Sequence, residues 1–237
     1  MTVVPNSFIK RLPTATPGLS ALVKIVPMQF SHAVFWHAHV QPIVDELYTS
    51  ANSLQPAADV RADIGWDWSK YFALMALHNS TTLFPTNGSG IAQGFALVVE
   101  GEEGVDVPIG LLTMVPRFDT TVRGFRRERT FAWYLSDAPS EFYQILGLEP
   151  LKLVAKALLD TSLQAGRMCA MDGEFLLHAD PAGGKKLLNF YENSCKMTAI
   201  APSRARISFF RPGKVGGYFL FTASQSANFS AQFDPYR

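Results

Sequence analysis

The chain has 237 residues, of which 48% are hydrophobic and 17% are charged, and its formal net charge is +1. This length fits one large or two small domains, and this composition excludes a disordered chain. The balance of acidic and basic residues excludes a global basic surface, so nucleic acid is not an expected partner. There is neither a signal peptide nor an apolar run near the roughly twenty residues of a membrane span. We therefore expect a cytoplasmic protein without a membrane partner.

The sequence offers no metal site. Cys169 and Cys195 match neither a disulfide scaffold nor a zinc-ligand spacing, which indicates two free thiols. His37 and His39 are two residues apart on a predicted helix and therefore point away from each other. No metal cofactor is expected.

The first predicted elements are an arm, a strand and two helices. Residues 1–20 contain three prolines and indicate an irregular arm, and residues 22–26 form a short β-branched strand. From Ser31 onward, apolar residues recur at helical spacing, and Pro42 is expected to kink that helix. Asp67 is placed as the N-cap of the second helix.

Three strands follow in the middle of the chain. Residues 95–99 and 109–115 are apolar and are joined by a short acidic turn, which predicts an antiparallel hairpin. Residues 117–129 indicate a second polar connection, and it leads into a strand at residues 130–135.

The second half of the chain alternates helices and strands. Pro150 is expected at the first position of a helix, where its missing amide hydrogen costs nothing. A strand at residues 175–179 and a helix at residues 185–194 follow. Residues 207–210 and 218–221 are predicted to close the chain as a hairpin.

The predicted element order is β-α-α-β-β-β-α-β-α-β-β. An antiparallel meander followed by one parallel crossover predicts a mixed sheet of the α/β (α+β) class. Since no internal repeat is visible, residues 21–237 are predicted to form a single domain behind the arm of residues 1–20.

A loop motif follows the strand at residues 130–135. It reads Q-I-L-G-L-E from Gln144 to Glu149, so that Gln144 and Gly147 match the first two fixed positions of a Q/R-x-x-G-x-G/A loop. In this respect the chain resembles the GNAT N-acetyltransferase superfamily, as a divergent member. In that family the loop opens a helix, and its backbone amides bind the pyrophosphate of coenzyme A. The resemblance implies acetyl-CoA or another acyl-CoA as co-substrate, bound by Gln144, Ile145, Leu146, Gly147 and Leu148.

A second motif, F-Y-E at residues 190–192, resembles the last helix of the same family. There a tyrosine protonates the departing coenzyme A thiolate, and the resemblance implies this role for Tyr191. A phenol with a pKa of about 10 suits that step. The alternative is an ordinary core tyrosine. The resemblance also implies that the backbone of Trp133, Tyr134 and Leu135 aligns the thioester as an added strand would.

An acyl transfer to an amine needs a base that makes the amine neutral. Asp137, just beyond the strand at residues 130–135, is the first candidate, and Asp180 and His178 are the others. The two aspartates stand beside prolines and fit loop caps equally well.

Trp66, Asp67 and Trp68 lie where the two first helices meet, and GNAT enzymes form their acceptor pocket there. These residues are candidates for an aromatic and acidic pocket that binds an amine. The alternative is that the tryptophans anchor the core and that Asp67 caps the helix.

The function that the resemblance implies is acyl-CoA-dependent N-acyl transfer, in its simplest form from acetyl-CoA to an amine of a small molecule or a protein. Because Glu149 occupies the third fixed position of the loop, the alternative is a catalytically inactive GNAT-fold binding or regulatory protein. An open cleft with Glu149 turned away favours the enzyme, whereas Phe142 or Tyr143 filling the cleft favours the alternative. A homodimer is compatible with either reading.

Overall fold

The structure is a computed structural model that describes residues 8–48, 61–81, 90–101, 104–122, 124–200 and 217–237. The strands in these ranges are β1 (Arg11–Pro13), β2 (Ser20–Leu22), β3 (Lys24–Pro27), β4 (Gln93–Glu100), β5 (Asp106–Val122), β6 (Phe125–Asp137), β7 (Phe175–His178), β8 (Thr198–Ile200) and β9 (Tyr218–Phe221). The helices are α1 (Phe30–Phe35), α2 (Gln41–Leu47), α3 (Trp68–Thr81), α4 (Ser140–Ile145), α5 (Val154–Met168), α6 (Gly184–Asn189) and α7 (Ala223–Ala231).

Seven of these strands form one mixed sheet in the order β3-β4-β5-β6-β7-β9-β8. The pair β6–β7 is parallel and the other neighbouring pairs are antiparallel. The predicted α/β class and mixed sheet are therefore confirmed. The residue range 207–210, predicted as a hairpin strand, lies outside the described residues, and Thr198–Ile200 pairs with β9 instead.

The central hairpin is longer than the sequence suggests. Residues 117–129 were expected to be a polar connection, yet β5 continues to Val122 and β6 starts at Phe125. Ion pairs between the two strands explain the difference, since Arg117 Nη2 lies 2.9 Å from Glu128 Oε2 and Arg126 pairs with Asp119. Opposite charges on facing strands stabilise a polar ribbon as apolar pairs do elsewhere.

The prediction of an irregular arm is wrong for residues 8–20, the part of the arm that the structure describes. Arg11–Pro13 pairs with Ser20–Leu22 as a small antiparallel hairpin. Leu12 is fully buried, and the amide of Lys10 donates to the carbonyl of Tyr236 over 2.6 Å. Burial of the apolar side chain fixes a segment whose prolines suggest a loop. The division of the chain into an arm and one domain over residues 21–237 stays a prediction.

The helix expected from Pro150 starts later, at Val154. Leu151 forms a β-bridge with Thr14, and the amide of Lys152 donates to the carbonyl of Pro13 over 2.8 Å. These contacts hold the chain extended, so that it cannot enter the helix at Pro150. Upstream, the helix in which a kink at Pro42 was expected contains a π-helical turn at Trp36–Val40, which joins α1 to α2, and Pro42 lies in the first turn of α2.

Helices cover both faces of the sheet. A Cβ at Gly110 of β5 would lie 3.0 Å from Val154 and Leu158 of α5, whereas one at Gly94 of β4 would lie 3.2 Å from Met75 of α3. Gly94 is paired with Thr113, three residues from Gly110, so the two glycines face opposite sides. Within the described part of the chain, no helix is long and apolar enough to cross a membrane.

Candidate active site

A cleft opens where β6 and β7 separate. The two strands pair only from Thr130–Phe175 to Ala132–Leu177, while β6 runs on to Asp137. The cleft has a volume of about 430 Å³, and Trp133, Tyr134 and Leu135 line it. The structure therefore presents the β6 edge to an open space, which is where the sequence prediction places an acyl thioester.

A β-bulge interrupts β6 at the cleft. Tyr134 opposes Thr113 and Ala132 opposes Met114, so that three residues of β6 face two of β5, with Trp133 as the extra one. A bulge turns the backbone and re-aims side chains, and bulges are frequent next to active sites. Trp133 consequently points towards α3, where its ring lies 5.5 Å from that of His78.

The cleft passes between the two faces of the sheet and has a different lining on each. The lining on the α5 side is aliphatic and consists of Ala132, Leu135, Ala155, Leu159 and Leu177. The lining on the α3 side is aromatic and polar and includes Tyr48, Asp63, Trp66, Trp133 and Tyr134. Tyr134 stacks on Tyr71 of α3 with ring centroids 3.7 Å apart, which shows that this aromatic lining faces α3. We call these the aliphatic end and the aromatic end.

A buried ion-pair cluster lies beside the cleft, where β6 ends. Arg61 donates to Asp63 through two parallel hydrogen bonds, Nε–Oδ1 of 2.8 Å and Nη2–Oδ2 of 2.7 Å. Its Nη2 also donates to the carbonyl oxygen of Asp137 over 2.6 Å and to Oδ1 of Asp137 over 3.2 Å. Ser136 Oγ donates to Asp63 Oδ2 over 2.8 Å. Bidentate pairs of this kind are strong and directional.

Asp137 is the carboxylate of this cluster that opens into the cleft, with its side chain 40% exposed compared with 6% for Asp63. Loss of contact with water raises the pKa of Asp137, and the positive charge of Arg61 opposes that rise. A raised pKa suits a group that must accept a proton near neutral pH. Neither Arg61 nor Asp63 was among the sequence-predicted site residues. The only local signal for the pair is the spacing of two residues between an arginine and an aspartate.

Tyr191 also lines the cleft, and it lies in a π-helical turn at Phe190–Ser194 that follows α6. Its side chain is largely buried and contacts Phe219 at a ring distance of 5.4 Å. Burial raises the pKa of Tyr191, and the carboxylates of Asp137 and Asp63 raise it further. The phenol is therefore protonated at neutral pH and is a weaker acid than a free tyrosine. The structure brings Tyr191 and Asp137 to the same cleft.

The residues from Gln144 to Leu148 do not lie where the loop motif places them. Gln144 and Ile145 belong to α4, and none of the five lines the cleft. The prediction that this loop opens the long helix is therefore wrong, since the chain reaches α5 only at Val154. Instead, Ala155 in the first turn of α5 lines the cleft.

Two sequence features that decide between enzyme and inactive protein have clear positions. Glu149 turns towards the N-terminal segment, where its Oε1 accepts from Thr16 Oγ1 over 2.8 Å. Phe142 and Tyr143 are buried but do not line the cleft. The cleft is therefore open, and the Glu149 carboxylate is not part of it.

Of the three predicted acceptor-pocket residues, only Trp66 reaches the cleft. Trp68 is fully buried in the core. Asp67 caps α3, because its Oδ1 accepts from the amide of Lys70 over 3.1 Å. The structure thus supports the cap and core reading for Asp67 and Trp68.

The other candidate bases also line the cleft. Asp180 Oδ1 accepts from the amide of Ala182 over 3.1 Å, which caps a short 3₁₀ turn. The ring of His178 lies 4.8 Å from that of Tyr218. Among the residues that the structure describes, no group of three or more His, Cys, Asp or Glu side chains is arranged to hold a metal.

Solved structures of GNAT proteins resemble this chain. RimJ of Mycobacterium smegmatis, solved in complex with CoA-disulfide, is similar with a TM-score of 0.51 and 12% identity, covering 95% of this chain and 91% of that one. FdhC, described as a nucleotide-linked sugar GNAT, gives a TM-score of 0.48 and 9% identity with coverage of 97% and 98%. No protein-family model matches the sequence, and the search of curated proteins found no match. The similarity to RimJ shows that this chain has the GNAT fold.

Proposed function

We propose that the protein is an acyl-CoA-dependent N-acyltransferase that transfers an acetyl group from acetyl-CoA to an amine. One observation carries this proposal: a carboxylate, Asp137, and a phenol, Tyr191, both line the open cleft between β6 and β7. Fold alone would not be enough, because one fold serves many functions. Acyl transfer from a thioester to an amine requires a proton acceptor and a proton donor within one site.

The two ends of the cleft suit the two substrates. The aliphatic end fits the pantetheine arm, whose thioester would lie along the β6 edge at Trp133–Leu135 as an added strand. The first turn of α5, Val154 to Lys156, would bind the pyrophosphate, because the first amides of a helix have no partner within it. This site replaces the loop at residues 144–148 in the proposal.

The reaction uses the two residues in sequence. Asp137 takes a proton from the incoming ammonium, and the neutral amine then attacks the thioester carbonyl. The carbon–sulfur bond breaks as the amide forms, and the proton of Tyr191 goes to the departing thiolate. The surplus proton on the amide nitrogen then passes through water to the Tyr191 phenolate, which restores the phenol, and Asp137 releases its proton to solvent. Tyr191 is the candidate for this role because its side chain lines the cleft and its hydroxyl is protonated at neutral pH.

One observation favours the inactive binding protein. Arg61 already pairs with the carboxylate of Asp137, and a cation beside a base lowers its basicity. In this alternative the cleft would still bind coenzyme A, but no amine would be acylated. Binding and turnover therefore have to be measured separately.

Isothermal titration of the purified protein with acetyl-CoA tests the first half of the proposal. We expect micromolar binding to the parent chain and at least tenfold weaker binding to Ala155→Glu, because the new carboxylate would stand where the phosphates bind. The matched control is Ala223→Glu, which adds the same charge to the exposed first turn of α7. An absence of binding to the parent chain at millimolar acetyl-CoA would overturn the proposal.

A further inference from the structure

The buried carboxylate of Asp63 takes no step in the proposed mechanism, yet it is bonded to the same guanidinium as the proposed base. We propose that Asp63 is a positioning residue that acts on Asp137 through Arg61. It holds the guanidinium at the end of β6 and offsets its positive charge, so that Asp137 can still accept a proton. This inference rests on the proposed function and identifies a further residue on which the reaction depends.

Asp63 is fixed through both its main chain and its side chain. Its backbone carbonyl oxygen accepts from Gln41 Nε2 over 2.8 Å and from the amide of Trp66 over 3.2 Å. Its Oδ2 accepts from Ser136 Oγ over 2.8 Å, and only 6% of the side chain is exposed. A buried carboxylate with this many partners keeps one orientation, which is what a group that positions its neighbours needs.

The fixed carboxylate determines where the guanidinium of Arg61 lies. Both oxygens of Asp63 accept from Arg61, and such a planar fork sets position and orientation together. The Nη2 atom of Arg61 then reaches the end of β6, where it donates to the carbonyl oxygen and Oδ1 of Asp137. Because successive side chains leave a strand on opposite faces, Ser136 and Asp137 diverge. The contact between Asp63 and Asp137 therefore runs through the guanidinium.

The charges explain why the base needs this second carboxylate. An arginine beside an aspartate lowers the pKa of the aspartate by about one to three units, so an Asp137 paired with Arg61 alone would be a poor base. Asp63 places a negative charge on the other side of the same cation, and the two carboxylates outnumber the one guanidinium. Loss of contact with water raises the pKa of Asp137, Arg61 lowers it, and the charge of Asp63 raises it again.

Asp63 is the acid placed to offset Arg61. Within the described parts of the chain, the ion pairs of Arg61 are with Asp63 and Asp137. Two further acids lie nearby, but Glu141 accepts from a tyrosine hydroxyl over 2.9 Å and Asp180 accepts from an amide of its own turn over 3.1 Å. The other ionisable side chains that line the cleft or interact with Asp137 are Tyr48, Tyr134, Tyr143, His178, Lys186 and Tyr191. None of these six is a carboxylate, so none of them supplies the charge of Asp63.

The test measures the pKa of Asp137 directly, by carbon-13 NMR of the protein with labelled aspartate carboxyl groups and without any substrate. The signal of Asp137 is the one that disappears in Asp137→Asn. Asp63→Asn keeps an oxygen acceptor for Arg61 and removes the charge, so the pKa of Asp137 should fall by about one unit or more. The acid limb of kcat/KM should move to lower pH by the same amount, because it reports that pKa in the free enzyme.

Glu128→Gln is the matched control. It also neutralises a carboxylate that is paired with an arginine, but Glu128 lies on the polar hairpin and outside the cleft lining. The pKa of Asp137 should be the same in this variant as in the parent chain, because solvent screens exposed distant charges. An unchanged pKa in Asp63→Asn, or an equal shift in the two variants, would overturn the inference. A loss of stability alone would move neither the pKa nor the acid limb.

The double variant Asp63→Asn/Arg61→Met provides a second test if Asp63→Asn alone does not fold, since it removes the buried cation together with its partner. Because Asp63 offsets Arg61 in this inference, removal of both charges should change the pKa of Asp137 by less than about one unit. A larger rise would show that Arg61 acts on Asp137 without compensation, and it would overturn the inference.

The inference and the proposed function fail in different ways. If the pKa of Asp137 falls in Asp63→Asn but the parent chain acylates no amine, the proposed function is wrong while the coupling of Asp63 to Asp137 stands. If the parent chain acylates amines and the pKa does not move, the coupling is wrong and the proposed function stands.

Discussion

Arg61 binds Asp137 at two points, the backbone carbonyl oxygen at 2.6 Å and the carboxylate Oδ1 at 3.2 Å. The first contact fixes the end of β6, and the second fixes the side chain that the proposed mechanism needs. Because Asp63 holds the other side of the same guanidinium, the orientation of the proposed base depends on a residue that is itself buried. Structure and proposed chemistry are therefore coupled through Arg61.

The first prediction concerns the stability that this coupling provides. Arg61→Met leaves the buried carboxylate of Asp63 without its cation, and such losses cost about 3 kcal/mol of the free energy of unfolding. Urea denaturation followed by circular dichroism measures the change. The control is Arg117→Met, which breaks an exposed pair with Glu128 and should cost about 0.5 kcal/mol or less. Equal losses in the two variants would show that the Asp63 pair does not stabilise the fold.

The second prediction concerns pH. Asp137 must be deprotonated to accept the amine proton, and its surroundings raise its pKa above the ordinary aspartate value of about 3.9. The rate kcat/KM should therefore fall as the pH falls through that raised pKa. Asp137→Asn should lower kcat by about a hundredfold or more and remove this acid limb.

Asp180→Asn is the control for that experiment, because Asp180 also lines the cleft but caps its own turn. In Asp180→Asn, kcat/KM should still fall at low pH as it does in the parent chain. A profile that loses its acid limb in Asp180→Asn and keeps it in Asp137→Asn would transfer the role of base to Asp180.

The sequence predicted the sheet well because the apolar strands carry its signal. Residues 95–99, 109–115 and 175–179 lie almost wholly within β4, β5 and β7, whose central side chains are buried. The polar extension of β5 beyond residue 115 was missed, since its stability comes from ion pairs between strands that a local pattern does not show.

The site was predicted less completely for the same reason. Trp133 to Leu135 and Tyr191 were implied by the resemblance to the GNAT family, and Asp137 by its position just beyond a strand. All of them line the cleft, and their roles stay predictions. The start of α5 depends on the contact of Leu151 with Thr14, residues that are far apart in sequence. No local motif reports such a contact, so the sequence could not show that α5 begins at Val154 rather than at Pro150.

The third prediction concerns Tyr191. Tyr191→Phe keeps the ring that packs on Phe219 and removes only the hydroxyl, so the free energy of unfolding should change by less than about 1 kcal/mol. The rate kcat should fall by about tenfold to a thousandfold, because the thiolate would leave unprotonated, while Kd for acetyl-CoA stays the same. Pre-steady-state thiol release and calorimetry measure the two quantities. An unchanged kcat would return Tyr191 to the role of a core residue.

The fourth prediction separates the two readings of Asp67. As the N-cap of α3 it accepts a hydrogen bond from the amide of Lys70, so Asp67→Ala should lower the free energy of unfolding by about 1 kcal/mol. Asp67→Asn keeps an oxygen acceptor and should restore most of that loss. If Asp67 instead supplied charge to the acceptor, Asp67→Asn would raise KM for amines as much as Asp67→Ala does. We expect KM to be the same in both variants and in the parent chain, because Asp67 does not line the cleft.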